Sequence, residues 1–283
     1  MEDKRLYVGI DIGGTSIVAA RFSESEILDR HEVPTGAKRP AEEIMESLYE
    51  AIDQVLTGEV AAIGIGMPGV MNTQTGEILR INNVPSFNGF AVKPRVESRF
   101  SLPVFQNNDA NCFALGEAYF GAGKEFDSMV GITLGTGLGG GIIIDRKIHT
   151  GLIGSAGELG CVPFRDGIVE DYCSNALFVN KYKKEGLELY NQAKSGSREA
   201  IAAFDELGRN IGELLNLTMY ILAPEAFVIG GSVARAWEFL EGPIRKEVDR
   251  FPVEMISKLV KILPARLENA GLYGAAALCI SQM

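Results

Sequence analysis

Asp11-Ile12-Gly13-Gly14-Thr15 follows the apolar run LYVGI, and Leu134-Gly135-Thr136-Gly137 ends the apolar run MVGITL. Glycine adds nothing to a core and costs backbone entropy, so paired glycines behind a strand mark a place where something approaches the main chain. Successive backbone N–H groups in such a turn can cradle a phosphate, and the hydroxyls of Thr15 and Thr136 add donors. Asp11 repels a phosphate directly, but its carboxylate suits Mg²⁺, held mostly through water. For one such turn an ordinary hairpin is the competing explanation. Two in matching positions, with a further pair at Gly230-Gly231, favour phosphate binding. Neither turn has the Walker spacing or a strand–turn–helix GxGxxG.

The second chemical constellation is QNNDANCFALGE, residues 106–117. Asp109 follows the strand-like VFQNN and opens a helix, a position where Asp or Asn most often serves as an N-cap. The functional alternative is a carboxylate at the floor of a cleft, taking the proton of an attacking hydroxyl in phosphoryl transfer.

These residues need elements to hold them. Residues 6–12, 17–22 and 27–35 read as three strands of an antiparallel meander. A helix at 41–56, a strand at 61–69, a helix at 93–100 and a strand at 104–108 complete a β-β-β-α-β-α-β series. The second half repeats the scheme: strands at 129–137 and 139–150, a long helix over about 198–222, a strand at 226–232, a helix at 233–248, a strand at 261–266 and a helix at 272–281. The strand–glycine turn–strand unit thus occurs once in each half. The expectation is α/β, with two related lobes and a cleft between them: residues 1–108 plus about 267–283 in a small N-terminal lobe, about 109–266 in a large C-terminal one.

Composition bounds the partners. The net charge of −10 disfavours nucleic acid, and no Lys/Arg cluster stands out. No apolar stretch approaches the roughly 20 residues of a membrane span. MEDKRLYVGI lacks the long apolar core of a signal peptide, which points to the cytoplasm. The four cysteines, Cys112, Cys161, Cys173 and Cys279, are widely spaced and expected as reduced thiols. With no C-x-x-C and only His31 and His149, the chain can barely assemble a zinc site.

The order DxGGT, LGTG and a late GGS before a helix resembles the actin, heat-shock chaperone and sugar-kinase superfamily. That resemblance implies the two-lobed actin-like ATPase (ribonuclease H-like) fold, with ATP between the lobes. It places Asp11, Gly13, Gly14, Thr15, Gly135, Thr136 and Gly137 around phosphate, with Gly230 and Gly231 against the adenosine. NDAN followed by GE, GLIGSAGELG, GMPG and NVPSFNG resemble, more narrowly, the ROK family of repressors, open reading frames and sugar kinases. The resemblance implies Asp109 as catalytic base and Asn108, Glu158 and Glu170 as sugar ligands, with Gly66 and Asn83 near the sugar. It also implies a homodimer.

One segment departs from the family pattern. Where the family carries GELGH and then a cysteine-rich zinc run, this chain reads GELGCVPFRDGIVEDYCSN. Cys161 replaces the histidine and Ile168 a cysteine, so no structural zinc is expected, and Phe164 packing is one candidate for what orders residues 161–173 instead. Ser16 stands where the family often has Lys. The leading reading is an ATP- and Mg²⁺-dependent kinase of a hexose, glucokinase-like. The alternatives are an N-acetylhexosamine kinase and a non-catalytic sugar or nucleotide sensor. A repressor is disfavoured because the first strand begins at Leu6, leaving no room for a DNA-binding domain.

Overall fold

The computed structural model describes residues 5–24 and 26–283. The first half contains β1 (Leu6–Ile12), β2 (Ser16–Ser23), β3 (Glu26–Pro34), α1 (Ala41–Val55), β4 (Val60–Met67), a small hairpin of β5 (Val70–Met71) and β6 (Ile78–Arg80), α2 (Val92–Phe100) and β7 (Val104–Asn108). Then α3 (Asp109–Phe120) leads into the second half. This comprises β8 (Met129–Leu134), β9 (Leu138–Ile144), β10 (Lys147–Ile148), β11 (Pro163–Phe164), β12 (Gly167–Ile168), α4 (Val169–Cys173), α5 (Asn175–Leu177), α6 (Gly186–Lys194), α7 (Arg198–Leu222), β13 (Ala226–Gly230), α8 (Trp237–Val248), α9 (Glu254–Leu259), β14 (Lys261–Pro264) and α10 (Ala270–Gln282).

Two five-stranded sheets have the same topology, β3-β2-β1-β4-β7 and β10-β9-β8-β13-β14. In each, three strands form the antiparallel meander, and its innermost strand, β1 or β8, pairs in parallel with β4 or β13. Both glycine turns join the strand at this switch to its antiparallel neighbour, so they occupy equivalent places in the two halves. The parallel strands carry buried runs, as strands covered on both faces do. Every residue of β13 is buried, as are residues 62–67 of β4. α1 covers the first sheet with Ile44, Leu48, Ile52 and Val55 and turns Glu42, Glu43 and Glu46 outward, a helical stripe of the ordinary amphipathic kind.

The expected strand 139–150 is shorter than its apolar run suggests. β9 ends at Ile144, a turn through Asp145 and Arg146 comes next, and β10 pairs back onto it. Residues 233–236 form a 3₁₀ turn before α8 begins at Trp237.

α10 packs on β1 and β4 and crosses α3. It is apolar all round because it is enclosed. Its backbone touches other backbones directly: a Cβ on Gly64 of β4 would strike the carbonyl of Ala275, and one on Gly274 the carbonyl of Cys112. Only glycine permits that approach. At the end of α3, the fully buried Glu117 carboxylate accepts backbone N–H bonds from Ala122 (2.7 Å), Arg266 (3.0 Å) and Leu267 (2.8 Å). A buried charge without a cation persists only when hydrogen bonds satisfy it. These bonds tie the helix that begins at Asp109 to the segment that precedes α10.

Candidate active site

The parallel strands of both sheets end toward one cleft, the usual ligand position in open α/β sheets. The cleft, about 450 Å³, is lined by Asp11, Gly13, Asn83, Asp109, Thr133 and Gly231 among others. Asp11 comes from the end of β1 and Asp109 from the first residue of α3. Asn108, not Asp109, caps α3: its side chain accepts from the Asn111 N–H at 2.7 Å. Asp109 Oδ1 accepts from the Ala110 N–H at 2.9 Å, and the residue lines the cleft. The capping role that competes with catalysis at this position is thus filled by the neighbouring residue.

Both carboxyls are harder to ionise than ordinary ones. Asp109 lines the cleft with part of its surface open to solvent, and the protein packed around it raises its pKa. Asp11 is pushed from 3.8 to about 6, first by burial and then by the charge of Asp109. Among the described residues Asp11 has no hydrogen-bonding or ion-pair partner. An unpaired carboxylate beside a second one is a place where a cation is welcome.

The first turn sits at the cleft wall. Gly13 lines it, Gly14 stands against Asn83, and Thr15 is exposed at the tip. Asn83 is carried by a loop that Asn88 pins, through Ile81 N (2.9 Å), Ile81 O (3.0 Å) and Pro85 O (2.9 Å). The second turn is braced from α4 and α5. Glu170 accepts from Leu138 N at 2.9 Å with its carboxylate packed under Gly137, Ser174 Oγ donates to Thr136 O at 3.2 Å, and Asn175 N donates to Gly135 O at 3.0 Å. Gly135 and Thr136 also line an adjoining cavity of about 520 Å³ with Ser232, Phe178 and Tyr190. Gly231, at φ +91°, lies directly on Leu134, and Gly230 lies against the ring of Phe113.

The remaining residues expected near a sugar are more scattered. Glu158 is exposed just before Leu159–Cys161, with Cys161 Sγ 3.9 Å from its carboxylate. The Cys161 thiol feels both Glu158 and Glu170, so these groups share one neighbourhood. Glu170 has one oxygen committed to the second turn and one uncommitted. Gly66 is buried in β4 against Cys112, and Pro68 rather than Gly66 forms the cleft wall there.

Residues 161–173 are ordered by aromatic and ionic contacts. β11 and β12 form a tight hairpin. Phe164 is buried edge-on against Tyr172 with centroids 5.5 Å apart. The Arg165 guanidinium lies 4.9 Å and 5.1 Å from those two ring centroids and bonds both oxygens of Glu213, at 2.9 and 3.1 Å. Tyr172 also donates to Asp166, and its carbonyl accepts from Asn210 at 2.9 Å. Cys161 is exposed and Cys173 buried. No group of three or more His, Cys, Asp or Glu suited to a metal occurs among the described residues.

The sequence profile of the ROK family matches residues 7–282. The chain belongs to the ROK family. It is 34% identical to a glucokinase of Streptomyces coelicolor, over 96% of this chain and 96% of that one. It is 30% identical to an N-acetyl-D-glucosamine kinase of Haemophilus influenzae, over 98% of this chain and all of the other. The crystal structure of a ROK family glucokinase from Streptomyces griseus in complex with glucose and AMPPNP superposes with a TM-score of 0.78 at 34% identity, covering 96% of this ROK chain and 98% of that one. The actin-like fold expected from the glycine turns is therefore the fold of this ROK protein.

Several residues that shape the site are not apparent from local spacing in the sequence. Glu117 is visible only as part of a family signature, and its bonds to Arg266 and Leu267 span about 150 positions. Ser174 and Asn175 brace the second turn from helices too short for periodicity to reveal.

Proposed function

We propose that this ROK-family chain transfers the γ-phosphate of ATP to a hydroxyl of a hexose, with Asp109 as the general base. The observation that carries this reading is one cleft that holds a carboxylate freed from capping, a second carboxylate without a partner, and the first of two equivalent glycine turns, with the second in an adjoining cavity. The glucose- and AMPPNP-bound glucokinase from Streptomyces griseus, at 34% identity, supports the same substrates here.

In this reading Asp109 accepts the sugar hydroxyl proton as that oxygen attacks the γ-phosphorus and ADP leaves. The raised pKa of Asp109 makes it a better proton acceptor than an ordinary carboxylate. The two glycine turns supply backbone N–H groups to the phosphates, and the cavity beside Phe178 and Tyr190 suits a purine. The amide of Asn83 and the carboxylates of Glu158 and Glu170 suit sugar hydroxyls, which both donate and accept. Asp11, unpaired and pushed up by burial and Asp109, fits Mg²⁺ held by one carboxylate and the nucleotide phosphates. When bound, the ion neutralises charge on the phosphates during transfer. Closure of the two halves on the sugar would exclude water as a competing acceptor. The family resemblance supports a homodimer. No helix among the described residues is long and apolar enough to cross a membrane.

A second reading keeps the chemistry and changes the acceptor to an N-acetylhexosamine. The kinase of that specificity from Haemophilus influenzae, at 30% identity, supports it, as does the exposed Cys161 where the family has an imidazole. A coupled ADP-release assay across glucose, N-acetylglucosamine and N-acetylmannosamine separates the two. Asp109→Asn tests the shared mechanism: kcat should fall by about 10²–10⁴ with sugar affinity kept. Undiminished turnover would refute Asp109 as the base.

A further inference from the structure

Thr35 lies just past β3 and is completely buried, and it has no part in the chemistry proposed for the cleft. The β2–β3 ladder ends with Ser16 opposite Pro34. One residue further, Thr35 N donates to Thr15 O at 2.9 Å, carrying the ladder into the first glycine turn. Its hydroxyl Oγ1 donates to Gly13 O at 2.7 Å, and Gly13 N closes the turn on Ser16 O at 2.9 Å. Thr35 is itself fixed from the far side. Arg39 Nη2 donates to Thr35 O at 2.8 Å and to Ser47 Oγ of α1 at 2.8 Å, and folds over Gly36, whose φ of +59° turns the chain aside.

The consequence comes from peptide planarity. Gly13 C=O and Gly14 N–H belong to one rigid unit and point in opposite directions. Pinning the Gly13 oxygen onto Thr35 beneath the turn therefore aims the Gly14 N–H away from Thr35. The cleft lies beside this peptide, since Gly13 lines it and Asn83, another of its lining residues, packs against Gly14. Glycines on both sides of this peptide give it little resistance to rotation of its own. The hydroxyl that holds it decides whether a donor or an acceptor faces the incoming phosphate.

We propose that Thr35 is a positioning residue for the nucleotide phosphates: its hydroxyl locks the Gly13–Gly14 peptide so that the Gly14 N–H faces the cleft. The proposal deepens the kinase reading and rests on it for its ligand.

The test compares Thr35→Val, which keeps the shape and removes the hydroxyl, with Thr35→Ser, which keeps the hydroxyl. Binding of AMPPNP with magnesium, and of adenosine, is measured by calorimetry on the full chain. Thr35→Val should weaken AMPPNP about tenfold, the worth of one weakened charge-assisted hydrogen bond. Adenosine affinity should stay within about twofold, since it has no phosphate to lose. In turnover, KM for ATP should rise while KM for glucose holds, and Thr35→Ser should behave as wild type. Equal AMPPNP affinity in Thr35→Val overturns the proposal. So does equal loss of AMPPNP and adenosine, or a serine variant as poor as valine.

Should Thr35→Val not fold, the wild-type chain labelled with ¹⁵N-glycine supplies the answer. The Gly14 amide resonance should move downfield with AMPPNP and not with adenosine, and an unmoved resonance overturns the proposal. If wild type releases no ADP with any sugar yet binds AMPPNP in this Thr35-dependent way, the kinase reading fails and the positioning role stands. If wild type turns over and Thr35→Val keeps its KM for ATP, the positioning role fails alone.

Discussion

Replacing Asp11 by Asn should make the folded chain more stable while it impairs turnover. Asp11 titrates at about 6 instead of 3.8 because burial and Asp109 disfavour its charge. At about 1.4 kcal/mol per pH unit, holding that charge at pH 7.5 costs at most about 3 kcal/mol. Asp11 is half-buried and the cleft admits water, which screens part of the repulsion, so a gain of about 1–2 kcal/mol is the working figure. For a chain of this size that raises Tm by roughly 2–8 °C. The sign is set by proton linkage. A carboxyl whose folded pKa is raised binds its proton more tightly when folded, so its favourable contribution is complete below about 4 and is lost as pH rises through about 6. The advantage of Asp11→Asn should accordingly be full at pH 7.5, smaller near pH 6 and gone by about pH 4. Thermal denaturation in EDTA without nucleotide, from pH 4 to 8, measures it. Adding magnesium and AMPPNP should then stabilise wild type more than the variant, because only wild type offers the carboxylate. A variant that melts at or below wild type at pH 7.5, or whose advantage is the same at every pH, would refute the assignment of Asp11 as an unpaired charge awaiting a cation.

The same geometry carries other outcomes. Because Asp109 must be ionised to accept a proton and its pKa is raised, kcat should fall with acid above the ordinary carboxylate range; a rate flat down to pH 4 would contradict this. Gly274→Ala places a methyl on the Cys112 carbonyl and should cost more than about 3 kcal/mol in urea denaturation, or prevent folding. Arg165→Ala removes the cation between Phe164 and Tyr172 and the bond to Glu213, and should cost about 1 kcal/mol of stability. It should also raise KM for the sugar a few-fold with kcat kept, because the loop between Glu158 and Glu170 loosens; an unchanged sugar KM would show that the hairpin does not hold those carboxylates.

The strands, both glycine turns and Asp109 were legible in the sequence because each is a local signal: an apolar run of strand length, then punctuation. The repeat of that unit in each half conveyed the fold, and the two sheets have identical strand order. Glu170 was visible through the family resemblance, but the helices over 169–194 were not legible. α4 and α5 are shorter than two turns, and their purpose, bracing the second glycine turn through Glu170, Ser174 and Asn175, is set by contacts more than 30 positions away. Phe164 could be suggested as the residue ordering its loop, and it is buried there, but Arg165, Tyr172 and Glu213 share the task and nothing in their spacing announces it. The capping of α3 shows the limit of local patterns from the other side. NDAN offers two adjacent residues able to cap, and only the structure assigns the task to Asn108.

The crossing of α3 and α10 has a mechanical corollary. Where Gly274 meets Cys112, main chain rests on main chain with no side chain between to act as padding. A slide of one helix along the other would ram a carbonyl into the opposing strut, whereas a swing about the touching point leaves the spacing intact. In the kinase reading, a closure that brings Asp109 onto a sugar has to turn about this crossing, where Gly116 and Gly274 admit the opposing main chain, and a methyl there would obstruct it.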